Sequence, residues 1–310
     1  MNPVDAPVQR ATAASEELAY VRVGGDDVFA VLTRPTVEAR RTAVFILSGG
    51  GRRGQGGTPS FGRNRLAVTL ARALAGEGYH AVRLDYPGVG ESAGGRAHID
   101  LQEPFVPQVV GVARWVLASG EVDRLVFSGG CFGGRAGLAA AAELPEAAGA
   151  VLWASPVVDP EWGAGRLGTM DTRTYARKAL GRRALAGWRD PRRRRLYVGL
   201  IKTRVARLAR RLRGKGEDRV TQRGATSPLV ARQLRALVER RSPVLFVYGE
   251  DDEFRADFDE ARAGRLGDVL ERSGGLVTVE VVDGKVHGLT TLSAQQHADA
   301  SLRRFLAQLG

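Results

Sequence analysis

Apolar and polar positions along the chain fall into two periods, and the switching between them predicts an alternating α/β domain. Residues 17–33 read as two strands, ELAYVRV and VFAVLTR, joined at Gly24-Gly25-Asp26-Asp27. Paired glycine and aspartate between β-rich runs predicts a hairpin. TAVFILS (42–48) is a continuous apolar run of strand length, which suits a strand buried on both faces. A glycine-rich loop follows from Gly49 to Gly57, then Leu66, Leu70, Ala73 and Leu74 recur at helical spacing until Gly78, a residue type that ends helices. HAVRLDY (80–86) returns to strand.

The alternation continues. A helix is expected from about Glu103 to Ala118, a strand at RLVFSG (124–129), an alanine-rich helix from Phe132 to Leu144, and a strand at GAVLWAS (149–155). Past a long interruption come a strand PVLFVYG (243–249), a helix, a strand LVTVEVV (276–282) and a last helix from Thr291 to Gln308. Strands that alternate with helices form βαβ units, so the sheet is expected to be mostly parallel with an antiparallel hairpin at one edge. The interruption divides the chain into a polar, disordered tail (1–16), a first core part (17–155), an inserted helical, arginine-rich cap (156–241) and a second core part (242–310). Within the insertion, Gly214–Ser227 is polar and glycine-containing and reads as a mobile loop.

Charge changes the picture of the insertion. Between Asp171 and Lys215 stand 17 Lys or Arg against two acids, within a chain whose net charge is +12, so the remainder is slightly acidic, at −3. Such a patch attracts an anionic partner. RVARLARRLRGK could also form an amphipathic helix with Val205, Leu208 and Leu212 on one side, which raises a membrane-surface contact as an alternative. No aromatic residues interleave these arginines, which speaks against a nucleic-acid partner. No run of about 18 apolar residues predicts a transmembrane helix, and the first residues do not read as a secretory signal. The expected compartment is cytoplasmic. With one cysteine there is no internal disulfide.

That cysteine carries the candidate chemistry. Gly129-Gly130-Cys131-Phe132-Gly133 follows one predicted strand and opens a helix. This is the glycine-x-nucleophile-x-glycine elbow, in which side chains two residues before and after the nucleophile would collide. A thiol there sits at a helix N-terminus, which favours the thiolate. Gly249-Glu250-Asp251-Asp252 follows a late strand, and Asp252, in a Gly-x-x-Asp spacing, is the expected acid ahead of Asp251. His287 lies past the final strand and before the final helix, unlike His80, His98 and His297. The order nucleophile, acid, histidine suits a triad in which His287 activates Cys131 and Asp252 fixes the imidazole tautomer. The N–H groups of Phe132 and of Gly50 or Gly51, in the loop Ser48-Gly49-Gly50-Gly51, are the expected oxyanion hole. A phosphate-binding reading of that loop fails, because no Gly-Lys-Ser/Thr follows.

On these motifs the chain resembles the α/β-hydrolase superfamily over about residues 17–308. The stretches FILSGGGRRGQGG, LDYPGVGESAGG and LVFSGGCFGG carry the resemblance. More narrowly it is similar to the cysteine-bearing hydrolases associated with exosortase systems and to related enzymes of bacterial biosynthetic clusters. Those share a glycine–arginine loop, an acid-Tyr-x-Gly-x-Gly-x-Ser turn, here Asp85 to Ser92, and a cysteine elbow. Dienelactone hydrolases also place cysteine in the elbow, but their overall pattern fits less well. The resemblance implies an esterase, thioesterase or acyltransferase with no metal and no organic cofactor. The arginine-rich insertion departs from the pattern and leaves the substrate open. A small acyl substrate is the expected partner, and an acidic acyl carrier protein docking on the basic cap is one vehicle that could deliver it. Two other classes stay open: a non-hydrolytic enzyme of the same fold (elimination or cyclisation), and a basic-surface binding protein on an inactive hydrolase fold.

Overall fold

The computed structural model describes residues 15–49, 59–94, 101, 104–159 and 226–310. Eight strands form one sheet: β1 (Glu16–Val23), β2 (Asp26–Thr33), β3 (Thr42–Leu47), β4 (His80–Leu84), β5 (Arg124–Gly130), β6 (Ala147–Trp153), β7 (Val244–Gly249) and β8 (Val277–Val282). Their order is β1-β2-β4-β3-β5-β6-β7-β8. The hairpin β1–β2 is antiparallel and so is β2–β4, whereas every pair from β4 to β8 is parallel. The mostly parallel sheet with an antiparallel hairpin at one edge, expected from the alternation, is the sheet observed, and it is the arrangement that the resemblance to α/β-hydrolases implies. Gly24, at φ 59°, makes the hairpin turn in a region of backbone space that glycine enters freely.

Helices cover both faces, which is why the central strands read as unbroken apolar runs. One face packs under α2 (Val106–Ala118), α3 (Phe132–Glu143), α4 (Pro228–Glu239), α5 (Glu253–Arg262) and α6 (Arg265–Arg272). The other packs under α1 (Leu66–Ala75) and α7 (Leu292–Leu309). Every residue of α3 from Phe132 to Ala141 is buried. Its glycines and alanines permit that: a Cβ on Gly137 would already stand 3.3 Å from both Leu47 Cδ1 and Phe127 Cβ.

The sequence-based boundaries shift at two places. Glu16 is not part of a loose tail but opens β1, because its carboxylate takes both Arg72 and the buried Arg83 at 3.2 Å. Residues 226–241 are not part of the insertion. The chain divides into one unit of residues 1–158 and 224–310 and another of residues 159–223. Val230, Ala231, Leu234 and Leu237 of α4 belong to the core cluster that includes Ala136, Leu138 and Ala140 of α3. Thr226 and Ser227, expected in a mobile loop, are buried, and Thr226 forms an isolated antiparallel bridge with Val158. The rest of the expected cap and of that loop lies outside the described residues.

Candidate active site

The elbow is built by backbone crowding. Cys131 caps α3 at φ 52°, ψ −115°, a conformation that costs a non-glycine residue on the order of 1–3 kcal/mol. It is over-determined by its neighbours. The Cys131 N–H donates to the Trp153 carbonyl at 2.9 Å, and the Cys131 carbonyl accepts from the Arg135 N–H and from Ser155 Oγ, each at 3.3 Å. Tyr248 in turn donates its buried hydroxyl to the Ser155 carbonyl at 2.6 Å, so β7, the end of β6 and the elbow are linked. A Cβ on Gly129 would lie 2.6 Å from the Gly133 carbonyl carbon, and one on Gly133 would lie 2.6 Å from the Ser48 carbonyl oxygen. Both glycines of the motif are therefore steric necessities.

Cys131 itself is partly exposed at the start of α3. The N–H groups of the first helical turn have no intrahelical acceptor, so Phe132 at the first helical position, next in sequence to Cys131, offers a donor. Its ring is locked edge-on to Tyr86 and Phe105, at centroid distances of 5.4 and 5.8 Å. The glycine loop after β3 passes directly alongside: a Cβ on Gly49 would stand 3.8 Å from that of Cys131. Gly50 and Gly51, the second expected oxyanion donors, lie outside the described residues. The loop's stems are pinned, by Ser48 Oγ donating to the Pro59 carbonyl at 3.1 Å and by the Ser60 N–H donating to the buried Asp85 carboxylate. Asp85 also takes the Glu91 N–H at 2.9 Å, and Ser92 Oγ donates to its carbonyl at 2.7 Å. The Asp85–Ser92 turn is thus a structural clasp for the loop beside Cys131.

The acid and the histidine meet at the ends of β7 and β8. Gly249 permits it, since a Cβ there would stand 2.8 Å from the Val286 nitrogen. Asp252 is buried, with 4% of its surface exposed. Its Oδ2 accepts the N–H of Gly249 at 2.7 Å and of Val286 at 3.3 Å, and its Oδ1 accepts the backbone N–H of His287 at 2.7 Å. The structure therefore brings Asp252 and His287 together but departs from the expected contact. Asp252 holds the backbone of the histidine loop, while Nδ1 of the His287 ring is 2.9 Å from Oε1 of Glu253. Glu253 Oε2 is 2.7 Å from Lys285 Nζ. Burial pushes the Glu253 carboxyl up. Hydrogen bonds from Lys285 and from the backbone, with the charges of His287 and Lys285, outweigh burial and hold it at about 2, below its usual 4.5. Phe254 packs its ring edge-on to the imidazole at 4.8 Å. The sequence signal for Glu253 was only its place one residue past the Gly-x-x-Asp acid, a spacing that favours Asp252 over Asp251 and passes over Glu253.

Among the described residues, no group of three His, Cys, Asp or Glu side chains is arranged to hold a metal ion, and no helix is long and apolar enough to cross a membrane.

An esterase of Pyrococcus furiosus superposes with a TM-score of 0.62 at 13% identity, covering 96% of this chain and 94% of that one. A proline iminopeptidase of Mycobacterium smegmatis does so at 0.53 and 20% identity, covering 95% and 98%. A Butyrivibrio proteoclasticus protein with ferulic acid bound gives 0.57 at 16% identity, covering 94% and 98%. At these identities the likeness shows the fold. No curated protein sequence matches. The sequence profile described as serine aminopeptidase, S33, matches residues 63–291, with cysteine standing here at the elbow, and the chain belongs to that family of α/β-hydrolases.

Proposed function

We propose that the protein is an acyl-transfer enzyme, a hydrolase or acyltransferase for esters or thioesters, that works through Cys131. The observation that carries this reading is the backbone of Cys131 itself: a cysteine held at φ 52° between β5 and α3, on a turn that two glycines make possible. Such strain at a strand-to-helix turn marks a nucleophile.

In the proposed mechanism the Cys131 thiol gives its proton to Nε2 of His287 and the sulfur bonds to the carbonyl carbon. The carbonyl electron pair moves to oxygen, which the N–H of Phe132 and one from the Gly50–Gly51 loop stabilise. Collapse of this intermediate expels the alcohol or thiol, which takes the proton back from His287. Water or a second alcohol, deprotonated by His287, then attacks the thioester and frees Cys131. Asp252 keeps the histidine loop in place through its three backbone hydrogen bonds.

A thioester donor suits this chemistry, because the leaving group and the nucleophile are both thiols. The 17 basic residues between Asp171 and Lys215 then favour an acidic acyl carrier protein as the vehicle of the acyl group. The resemblance to cysteine-bearing hydrolases of exosortase systems and biosynthetic clusters supports the same reading.

Intact-mass analysis after incubation with activated esters and acyl thioesters tests it. The expected result is one acyl adduct on the chain's single cysteine, absent in Cys131→Ala. Turnover that persists in Cys131→Ala overturns the proposal. Carrier-dependent turnover is expected to fall as salt rises, and salt-insensitive turnover removes the carrier-docking part.

A further inference from the structure

Asp252 and Glu253 are adjacent in sequence and both touch the His287 segment, but they touch different parts of it. Each oxygen of Asp252 is already engaged by backbone N–H groups, at Gly249 and Val286 on one side and His287 on the other. The ring faces Glu253, with Oε1 at 2.9 Å from Nδ1. A carboxylate accepts and cannot donate when ionised, so this contact places the proton on Nδ1 and leaves the Nε2 lone pair free to act as a base. Phe254, the next residue of α5, lies edge-on to the same ring and fixes its plane. The other oxygen of Glu253 is held by Lys285, two residues before the histidine on the same loop.

We propose that Glu253, rather than Asp252, is the positioning carboxylate of the His287 ring, with Lys285 as a counter-ion that tempers its charge. The proposal rests on the Cys131–His287 reading and assigns to it a part the Gly-x-x-Asp spacing gives to the neighbouring residue. The charged and titratable groups at the His287 segment are Glu253 of α5, Lys285 of the histidine loop and Asp252 at the start of α5, and the proposed mechanism adds the Cys131 thiol. Lys285 competes with the imidazolium for one carboxylate. Removing Lys285 therefore favours the protonated ring, and removing Glu253 disfavours it.

The chain's single cysteine makes the test clean, because the pH-dependence of its alkylation by iodoacetamide reads Cys131 alone. The variants are His287→Ala, Glu253→Gln, Lys285→Met, Glu253→Gln with Lys285→Met, and Asp252→Asn, each with a thermal melt to show folding. Glu253→Gln is expected to lower the plateau rate severalfold and move the acid limb to lower pH. Lys285→Met is expected to move that limb to higher pH, each by about half a unit. The Lys285→Met shift disappears once Glu253 is gone. Asp252→Asn acts mainly on the melting temperature. A Glu253→Gln chain with the wild-type limb and plateau overturns the assignment, while a large effect of His287→Ala in the same experiment leaves the wider reading standing. If His287→Ala also matches wild type, the Cys131–His287 reading itself fails.

Discussion

Gly133 stands so close to the Ser48 carbonyl oxygen that a single added Cβ would come within 2.6 Å of it. The other partner in that clash is the Leu47 carbonyl, so both obstacles are backbone at the end of β3 and neither can swing away. Gly133→Ala is therefore expected to separate β3 from α3 and destabilise the protein by about 2 kcal/mol or more. Gly137→Ala, one turn on, meets only side-chain atoms at 3.3 Å and should cost less. Thermal melts of the two variants check the order.

Cys131 offers a second test, in which stability separates two variants that activity does not. Its φ of 52° strains any side chain, so Cys131→Gly is expected to be more stable than Cys131→Ala by roughly 1 kcal/mol. Both variants should lose acyl transfer by about a thousandfold or more. Paired melts and turnover with an activated ester read both effects.

Glu253 gives a pH-dependent one. Its folded value of about 2 lies below the usual 4.5, so its ionised form stabilises the native state. That contribution is complete above about 4.5 and is lost as pH falls through about 2. The melting temperature of wild type should exceed that of Glu253→Gln above the upper of those two values, and the margin should close between them. Because Glu253 is about one-third exposed (34%), solvent screening keeps the margin small.

Arg135 is fully buried in α3 and donates to the carbonyls of Leu101 at 2.8 Å and Pro156 at 3.2 Å, and to Ser227 Oγ at 3.3 Å. It thereby ties α3 to both stems of the inserted stretch. Arg135→Met keeps the bulk and strips the donors. A loss of roughly 3 kcal/mol is expected by denaturant titration.

These residues also show what the sequence disclosed and what it withheld. The apolar runs located the strands of the sheet; the central ones stood out because burial on both faces writes itself directly into composition, whereas β1 and β8 are partly exposed. The elbow was legible for the same kind of reason: two glycines around Cys131 answer a local steric demand. The partner of His287 was not legible. Asp252 and Glu253 are neighbours, and which one reaches the ring depends on where the chain turns into α5. Nor was the allegiance of α4, since the apolar stripe Val230, Ala231, Leu234 and Leu237 would serve equally on an inserted segment or on α3. Arg135 was hidden by its charge, because a buried guanidinium leaves no apolar trace.

The bridge between Val158 and Thr226 brings the chain back to where it left. A stretch that departs and returns through one point behaves as an appendix to the strand order: it can be lengthened, trimmed or exchanged by recombination without retuning the register of any strand. The number and kind of residues between those two positions can thus vary without disturbing the strand pairs on either side of Cys131.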